Sequence, residues 1–313
     1  MAYFSNGSEG AAFENQTVVY NDMFTGDAVK PKFELKDKFI VPPFSVLDTK
    51  TGEWQNRKRK WKKLGIKSEV GRGDNLTYTG AAKNFDHYRV KEGKREKTDT
   101  QSTSIFDPVL CEIMYSWFCP EDGKILDPFA GGSVRGIVAS YLGHFYTGID
   151  LSERQVVNND EQAQEILEYT YPCWVIGDSE TELDKINGEF DMLFTCPPYG
   201  DLEVYSKDKN DLSNMPFPEF VEKYKKIIDK ACQRLKPGSY AVIVVGDYRD
   251  KKGNYRCFPE ITTRAFVEAG LKKYNELVLL NVIGSASMRA NKQFSSGQKA
   301  VKIHQNVLVF KKD

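Results

Sequence analysis

From about residue 104 to its end, the chain alternates short apolar runs with longer stretches of helical periodicity. Lys124–Asp127, Phe145–Asp150, Cys173–Ile176, Phe190–Thr195 and Ser239–Gly246 read as strands. The last of these is apolar on both faces, as in a buried parallel sheet. Between them, 105–118, 134–142, 152–168, 218–235 and 258–269 read as helices. In the first, Ile105, Val109, Leu110, Ile113, Met114 and Trp117 recur at helical spacing. Ser152 is the expected N-cap of the third, and Lys236-Pro237-Gly238 the expected stop of the fourth. Tyr274–Ile283 and Asn306–Phe310 read as a closing antiparallel pair. This pattern predicts an α/β fold, with a mostly parallel central sheet and helices on both faces. Ligands in such sheets bind beyond the carboxyl ends of the strands.

The chemistry-bearing residues fall at those ends. Asp127-Pro128-Phe129-Ala130-Gly131-Gly132-Ser133 follows one strand and opens a helix. Its glycines permit a tight turn and close approach of a ligand to the backbone. It lacks the lysine of a phosphate loop and the glycine spacing of a dinucleotide fingerprint. Asp150 ends the next strand, placed for ribose hydroxyls, and Asp178 ends the third, placed for an adenine amino group. The alternative is that these acids merely cap helices. Cys196-Pro197-Pro198-Tyr199 follows the fourth strand. The two prolines fix an extended, rigid turn, and Tyr199 offers a flat face to a base.

Composition narrows the classes. Forty-four Lys and Arg balance forty-four Asp and Glu, which excludes binding of a polyanion by bulk charge but not by a local stripe. Six cysteines stand singly and three histidines lie far apart, so no metal site is expected. Several cysteines sit in apolar runs, as expected of reduced, buried thiols. Residues 1–15 have no apolar leader core and no run approaches roughly 18 apolar residues, so a cytoplasmic protein without a membrane span is expected.

These motifs resemble those of the S-adenosylmethionine-dependent amino-methyltransferases that modify exocyclic nitrogens of cytosine or adenine in DNA. The resemblance covers about residues 104–310. The loop at 127–133 looks like their cofactor motif. Phe106-Asp107-Pro108 looks like the motif that precedes it, which adds Asp107 to the cofactor set. Cys-Pro-Pro-Tyr looks like their catalytic motif, usually Asp, Asn or Ser before Pro-Pro-Tyr. The ending His304-Gln-Asn-Val-Leu-Val-Phe310 is similar too, and the whole chain looks like phage or prophage enzymes with a Val-Pro-Pro-Phe-Ser-Val-Leu-Asp segment. The resemblance implies a Rossmann-like methyltransferase fold, S-adenosyl-L-methionine as cofactor, and double-stranded DNA whose target base is flipped into the pocket. It implies a bacterial or phage-infected cell, with restriction-modification among the roles and a homodimer as a possible assembly. By the family mechanism, the target amino group donates hydrogen bonds to the Pro197 carbonyl and to the side chain at 196, while Tyr199 stacks on the base.

Cys196 departs from the family pattern. A thiol is a weak acceptor, although nearly isosteric with the serine of cytosine-N4 enzymes. The alternatives are a cytosine-C5 enzyme with Cys196 as nucleophile and Glu203 as proton donor, an RNA guanine-N2 methyltransferase, a small-molecule methyltransferase, and a non-catalytic nucleic-acid-binding module.

Residues 1–103 read as an irregular N-terminal accessory region with a possible DNA contact, and 104–313 as the methyltransferase domain. Trp54-Gln-Asn-Arg57-Lys58-Arg59-Lys60-Trp61-Lys62-Lys63 is the densest basic cluster. It fits phosphates and stacked bases, or a solvated helix anchored by its two tryptophans. Residues 84–97 add His87, Arg89, Lys91, Lys94 and Arg95. Arg249, after the fifth strand, is expected over the pocket. The polar loop 285–302, with Arg289 and Lys292, is a further candidate for DNA contact.

Overall fold

The computed structural model describes residues 39–66, 106–200, 209–281, 283 and 286–313, together with the backbone of 20–21 and 28–29. The basic segment 84–97, Glu203 and the start of the helix expected from 105 lie outside the described residues. The chain divides into two compact units, Met1–Pro43 and Phe44–Asp313. In the first, β1 (Tyr20–Asn21) pairs antiparallel with β2 (Ala28–Val29). Residues from Phe44 on, read from the sequence as part of the accessory region, belong to the unit that holds the sheet.

That sheet has eight strands, in the order β3 (Val46–Asp48), β9 (Lys272–Leu280), β10 (His304–Lys311), β8 (Leu235–Val245), β7 (Phe190–Thr195), β4 (Lys124–Asp127), β5 (Phe145–Asp150), β6 (Cys173–Ile176). All pairings are parallel except those of β10, which runs antiparallel to both β8 and β9. It is a doubly wound, Rossmann-like α/β sheet. The chain moves outward from β4 through β5 to β6, then returns to β7 on the other side of β4. The order reverses between β4 and β7, which opens a crevice at their carboxyl ends.

Helices cover both faces. α1 (Gly52–Lys63), α2 (Pro108–Phe118) and α3 (Val134–Tyr141) pack together on one. α5 (Ser179–Lys185), α6 (Phe217–Gln233) and α7 (Phe258–Glu268) pack together on the other. Alternation along β7 serves both: Phe194 meets Tyr115 of α2 edge to face at 5.3 Å, while Leu193 joins the core under α6. α4 (Glu153–Ile166) follows β5 and starts at Ser152, whose side chain accepts the Gln155 N–H.

Two sequence readings are corrected. Lys236-Pro237-Gly238 does not stop a helix: α6 ends at Gln233, and these residues lie inside β8. The β7–β8 register shifts between Phe190 and Met192, and Gly238 takes φ +81 there. This irregularity absorbs a proline that a regular ladder would reject. The expected closing pair is present as β9 and β10, antiparallel to each other, with β10 inserted between β8 and β9. The polar stretch expected as a loop at 285–302 contains a helix, α8 (Ala286–Gly297). It was hidden because little of it is apolar and only Ala286 is buried. Of the six free thiols, Cys111 and Cys232 are buried, whereas Cys173 and Cys257 are exposed. Burial pushes the half-buried Cys119 thiol up to about 12.

Asp191 ties three strands at the amino edge, away from the crevice. Its carboxylate accepts the Lys124 N–H at 2.9 Å and the Lys236 ammonium at 2.6 Å. Burial raises its pKa, but these donors outweigh it and hold the folded value below the usual range. The stabilisation is therefore present above the unfolded pKa and is lost as pH falls through the folded one. Asp191→Asn should lose about 1 kcal/mol at neutral pH, discounted because Lys236 is half exposed. Urea unfolding at neutral and acid pH checks this: the gap from wild type should close in acid, and a gap of constant size contradicts the assignment.

Candidate functional site

The loop 127–133 is built from below. Asp127 is fully buried at the end of β4. One carboxylate oxygen accepts the Phe129 N–H at 3.1 Å and the Thr195 hydroxyl at 2.6 Å. The other accepts Arg135 Nε at 2.6 Å and the Tyr146 hydroxyl at 2.7 Å. Thr195 ends β7, so one side chain joins the two strands that border the crevice. Arg135 also donates to the carbonyls of Phe129, at 2.6 Å, and Ala130, at 2.8 Å. The Ser179 hydroxyl takes the carbonyl of Pro128 at 2.5 Å, and Asn159 that of Gly131 at 2.8 Å. Four successive carbonyls are thus turned into the protein, each with a donor. Asp127 shapes the loop from inside and presents no free carboxylate to a ligand.

The neighbouring strand ends close the rest of the loop. Asp150 accepts the Gly131 N–H at 2.9 Å with one oxygen and the Ser152 N–H at 2.8 Å with the other. Gly131 takes φ +52, where a side chain would be strained. The Ala130 N–H donates to the Ile149 carbonyl at 2.9 Å. Gly148 makes that contact possible, since a Cβ there would lie 2.8 Å from the Ala130 side chain. Ser133 is buried and its hydroxyl donates to Gln162 at 2.7 Å. Gly131 and Gly132 are half-buried. Asp178 caps α5 through the Glu180 N–H at 3.0 Å and holds the Lys223 ammonium at 2.5 Å. Asp107 caps α2 and takes Trp54 Nε1 at 3.2 Å and Lys58 Nζ at 2.7 Å. It serves the α1–α2 contact.

Cys196, Pro197, Pro198 and Tyr199 emerge from β7 beside that loop, with Pro197 buried and the other three half-buried. The Tyr199 hydroxyl accepts Gln305 Nε2 at 2.8 Å. Its ring meets Tyr248 at 5.9 Å and Phe258 at 6.0 Å, both edge to face. Phe258 in turn meets Tyr224, on which Phe129 stacks at 5.9 Å. Rings therefore run from the β4 loop to the β7 loop. Arg249 and Tyr255 form a bridge in the excursion after β8, with the Arg249 guanidinium 3.9 Å from the Tyr255 ring centroid. Arg289 and Lys292 are exposed on α8.

The basic cluster on α1 divides. Trp54 and Trp61 are buried. Arg57 pairs with Glu112 and Lys58 with Asp107, both on the flank of α2. Arg59, Lys60, Lys62 and Lys63 are exposed.

Sequence reasoning missed Arg135, Tyr146, Thr195, Asn159 and Gln305. The signal for Arg135 was present, as the one charge in the otherwise apolar start Val134-Arg-Gly-Ile-Val-Ala. Nothing in the sequence marked Gln305, 106 residues from its partner. Among the described residues, one trio could converge on a cation: Asp247, Cys257 and Glu260, with ligand atoms within 4.8 Å of one another. Asp247 already accepts the Tyr248 and Phe258 N–H groups. Among the described residues no helix is long and apolar enough to cross a membrane.

Fold and crevice define a doubly wound α/β domain with a crevice at the switch point. No family model matches the sequence, and no curated protein matches it. Among solved structures, the chain is similar to TrmN from Thermus thermophilus at 17% identity and TM-score 0.47, over 66% of this chain and 49% of that one. The match thus spans about half the length of that protein. A TehB-like SAM-dependent methyltransferase from Corynebacterium glutamicum matches at 15% identity and TM-score 0.41, over 74% and 98%. Magnesium protoporphyrin IX methyltransferase from Synechocystis matches at 13% identity and TM-score 0.43, over 74% and 91%.

Asp127→Ala should leave the Arg135 guanidinium, with its side chain 6% exposed, buried without its counter-ion. The expected loss is about 3–5 kcal/mol in urea unfolding. A loss below about 1 kcal/mol contradicts the role given to this pair.

Proposed function

We propose that the chain is an S-adenosylmethionine-dependent methyltransferase that acts on an exocyclic amino nitrogen of a base in DNA, cytosine N4 or adenine N6. The observation that carries this reading is the meeting of two loops at the sheet's switch point. The Gly-rich turn with its acids lies on β4 and β5, and the Pro-Pro-Tyr segment lies on adjacent β7.

The donor set fits this cofactor. Carboxylates end β5 and β6, where ribose hydroxyls and an adenine amino group would be met. The cation beneath the loop, Arg135, is neutralised by Asp127 and so offers no unpaired charge to a phosphate. The residues to hold it are the backbone of 129–133, Asp150 and Asp178, with Asp127 acting through the loop's shape. When bound, it supplies an activated methyl group on a cationic sulfur.

The remaining work is positioning and electrostatics. The Pro197 carbonyl, in a turn whose φ is fixed by two prolines, accepts a hydrogen from the amino group. The Cys196 side chain accepts the other, as serine does in the cytosine-N4 enzymes that this motif resembles. Together they direct the nitrogen lone pair toward the methyl. Tyr199 supports the base, and Gln305 together with Tyr248 and Phe258 fixes its ring. A second reading, cytosine-C5 transfer by a Cys196 thiolate, draws on the electrostatic reach between Arg135 and Cys196. The close Asp127 counter-charge makes it the weaker one.

Mass spectrometry of nucleosides from DNA and RNA treated with protein and labelled cofactor tests the reading. N4-methylcytosine or N6-methyladenine is expected, and Cys196→Ser should retain activity. Labelled 5-methylcytosine, with activity lost in Cys196→Ser, overturns it in favour of the thiolate. A label in RNA alone, or none in either, overturns the DNA assignment. Gln305→Leu should lower kcat on the order of tenfold while leaving cofactor affinity intact, as expected for a shifted positioning group. The same change in a Tyr199→Phe background should add little, because the hydroxyl it serves is gone. Additive losses in a double-mutant cycle contradict that role.

A further inference from the structure

The chain has no net charge, yet two excursions at the carboxyl edge are strongly basic. The segment 249–256, rooted after β8, and the segment 286–303, between β9 and β10, carry eight cationic side chains between them. Their only carboxylate is Asp250. The two segments touch: the Lys299 ammonium lies against Gly253, where a Cβ would come within 2.0 Å of it. Both are rooted at the platform proposed above. Tyr248, against which Tyr199 packs, begins the first. His304, paired with Leu280, ends the second, and the next residue, Gln305, holds the Tyr199 hydroxyl.

Four of the eight are presented outward, and Arg249, Arg256, Lys299 and Lys302 are half-buried. Arg289 and Lys292 are exposed and three residues apart, hence on one face of α8. Lys251 and Lys252 are exposed at the tip of the other segment. Large apolar groups stand among them: Met288 is 68% exposed, Phe294 61% and Tyr255 41%. A helix so little buried gains little from packing, and cations interleaved with exposed rings suit phosphates and unstacked bases. The α1 cluster is the poorer candidate: Arg57 and Lys58 are paired with acids of the α2 flank, and its exposed cations Arg59, Lys60, Lys62 and Lys63 have no exposed ring among them, because Trp54 and Trp61 are buried.

We propose that α8 and the 249–256 excursion together form the surface that grips the backbone of the nucleic-acid substrate beside the Tyr199 platform, and that the basic helix α1 does not. The inference rests on the nucleic-acid reading above and names the surface that serves it. Arg289 and Lys292 neutralise phosphates, and Lys251 and Lys252 extend the contact around the target base.

The test is fluorescence anisotropy with a labelled DNA duplex across roughly 50–200 mM salt, comparing wild type, Arg289→Ala/Lys292→Ala and Arg59→Ala/Lys60→Ala. Labelled cofactor binding confirms that each variant is folded. The α8 pair should weaken binding on the order of tenfold and reduce the slope of log affinity against log salt by about two. The α1 pair should leave both unchanged. Wild-type binding with the slope lost in the α1 pair, or in neither, overturns the surface and spares the reading. A wild type that binds neither this duplex nor an RNA duplex overturns both, and one that binds only RNA keeps the surface and overturns the DNA assignment.

Discussion

The Asp127–Arg135 pair is the contact on which the site depends. Two opposite charges are removed from water at the end of a central strand, an arrangement whose desolvation cost can exceed its Coulombic gain. Its return is geometric. Asp127 accepts four hydrogen bonds and so joins β4 to Tyr146 of β5 and Thr195 of β7. Arg135 turns one terminal nitrogen, Nη2, to the carbonyls of both Phe129 and Ala130. A loop of small residues has no packing of its own to define it; here the shape comes from donors beneath it. A nonpolar pair of the same volume could fill the space but could not orient two carbonyls.

Those features explain what was legible in the sequence. The parallel strands were readable because each is short, apolar on both faces and bounded by turn residues, as Tyr240–Val245 and Phe190–Thr195 are. Ser152 was readable as a cap because the interaction is local. The Gly-Gly turn and Pro-Pro-Tyr were readable because backbone constraint is written in the residue itself. Long-range partners were not. Gln305 reaches Tyr199 only because β10 inserts between β8 and β9, and no local pattern encodes that insertion. Lys-Pro-Gly238 misled because its usual local meaning, a helix stop, is overridden by strand pairing with a shifted register. Arg57 and Lys58 looked like free charge because their acids, Glu112 and Asp107, lie about fifty residues away and appear only once α1 packs on α2.

The acids show the difference between placing a residue and assigning its bond. Asp150 and Asp178 do end successive strands, but both also hold the local backbone: Asp150 the Gly131 and Ser152 N–H groups, Asp178 the start of α5. A helix-capping role and a ligand role are therefore not exclusive. A carboxylate held by one or two backbone donors is fixed in orientation. Asp127 is the opposite case, since its oxygens are fully engaged and it can act on a ligand only through the loop.

The sheet's topology divides the labour. β4, β5 and β6, wound one way, supply the loop and the acids. β7, β8 and β10, on the other side of the reversal, supply Cys196–Tyr199 and the residues that hold Tyr199. The reversal between β4 and β7 brings the halves together, and the rings from Phe129 to Tyr199 brace the junction. The excursions after β8 and β9 meet the platform at their roots, through Tyr248 and Gln305. The segregation of charge follows from the same plan: the core half must be neutral to be buried, so the surplus cations of a balanced chain collect where the sheet ends and solvent begins.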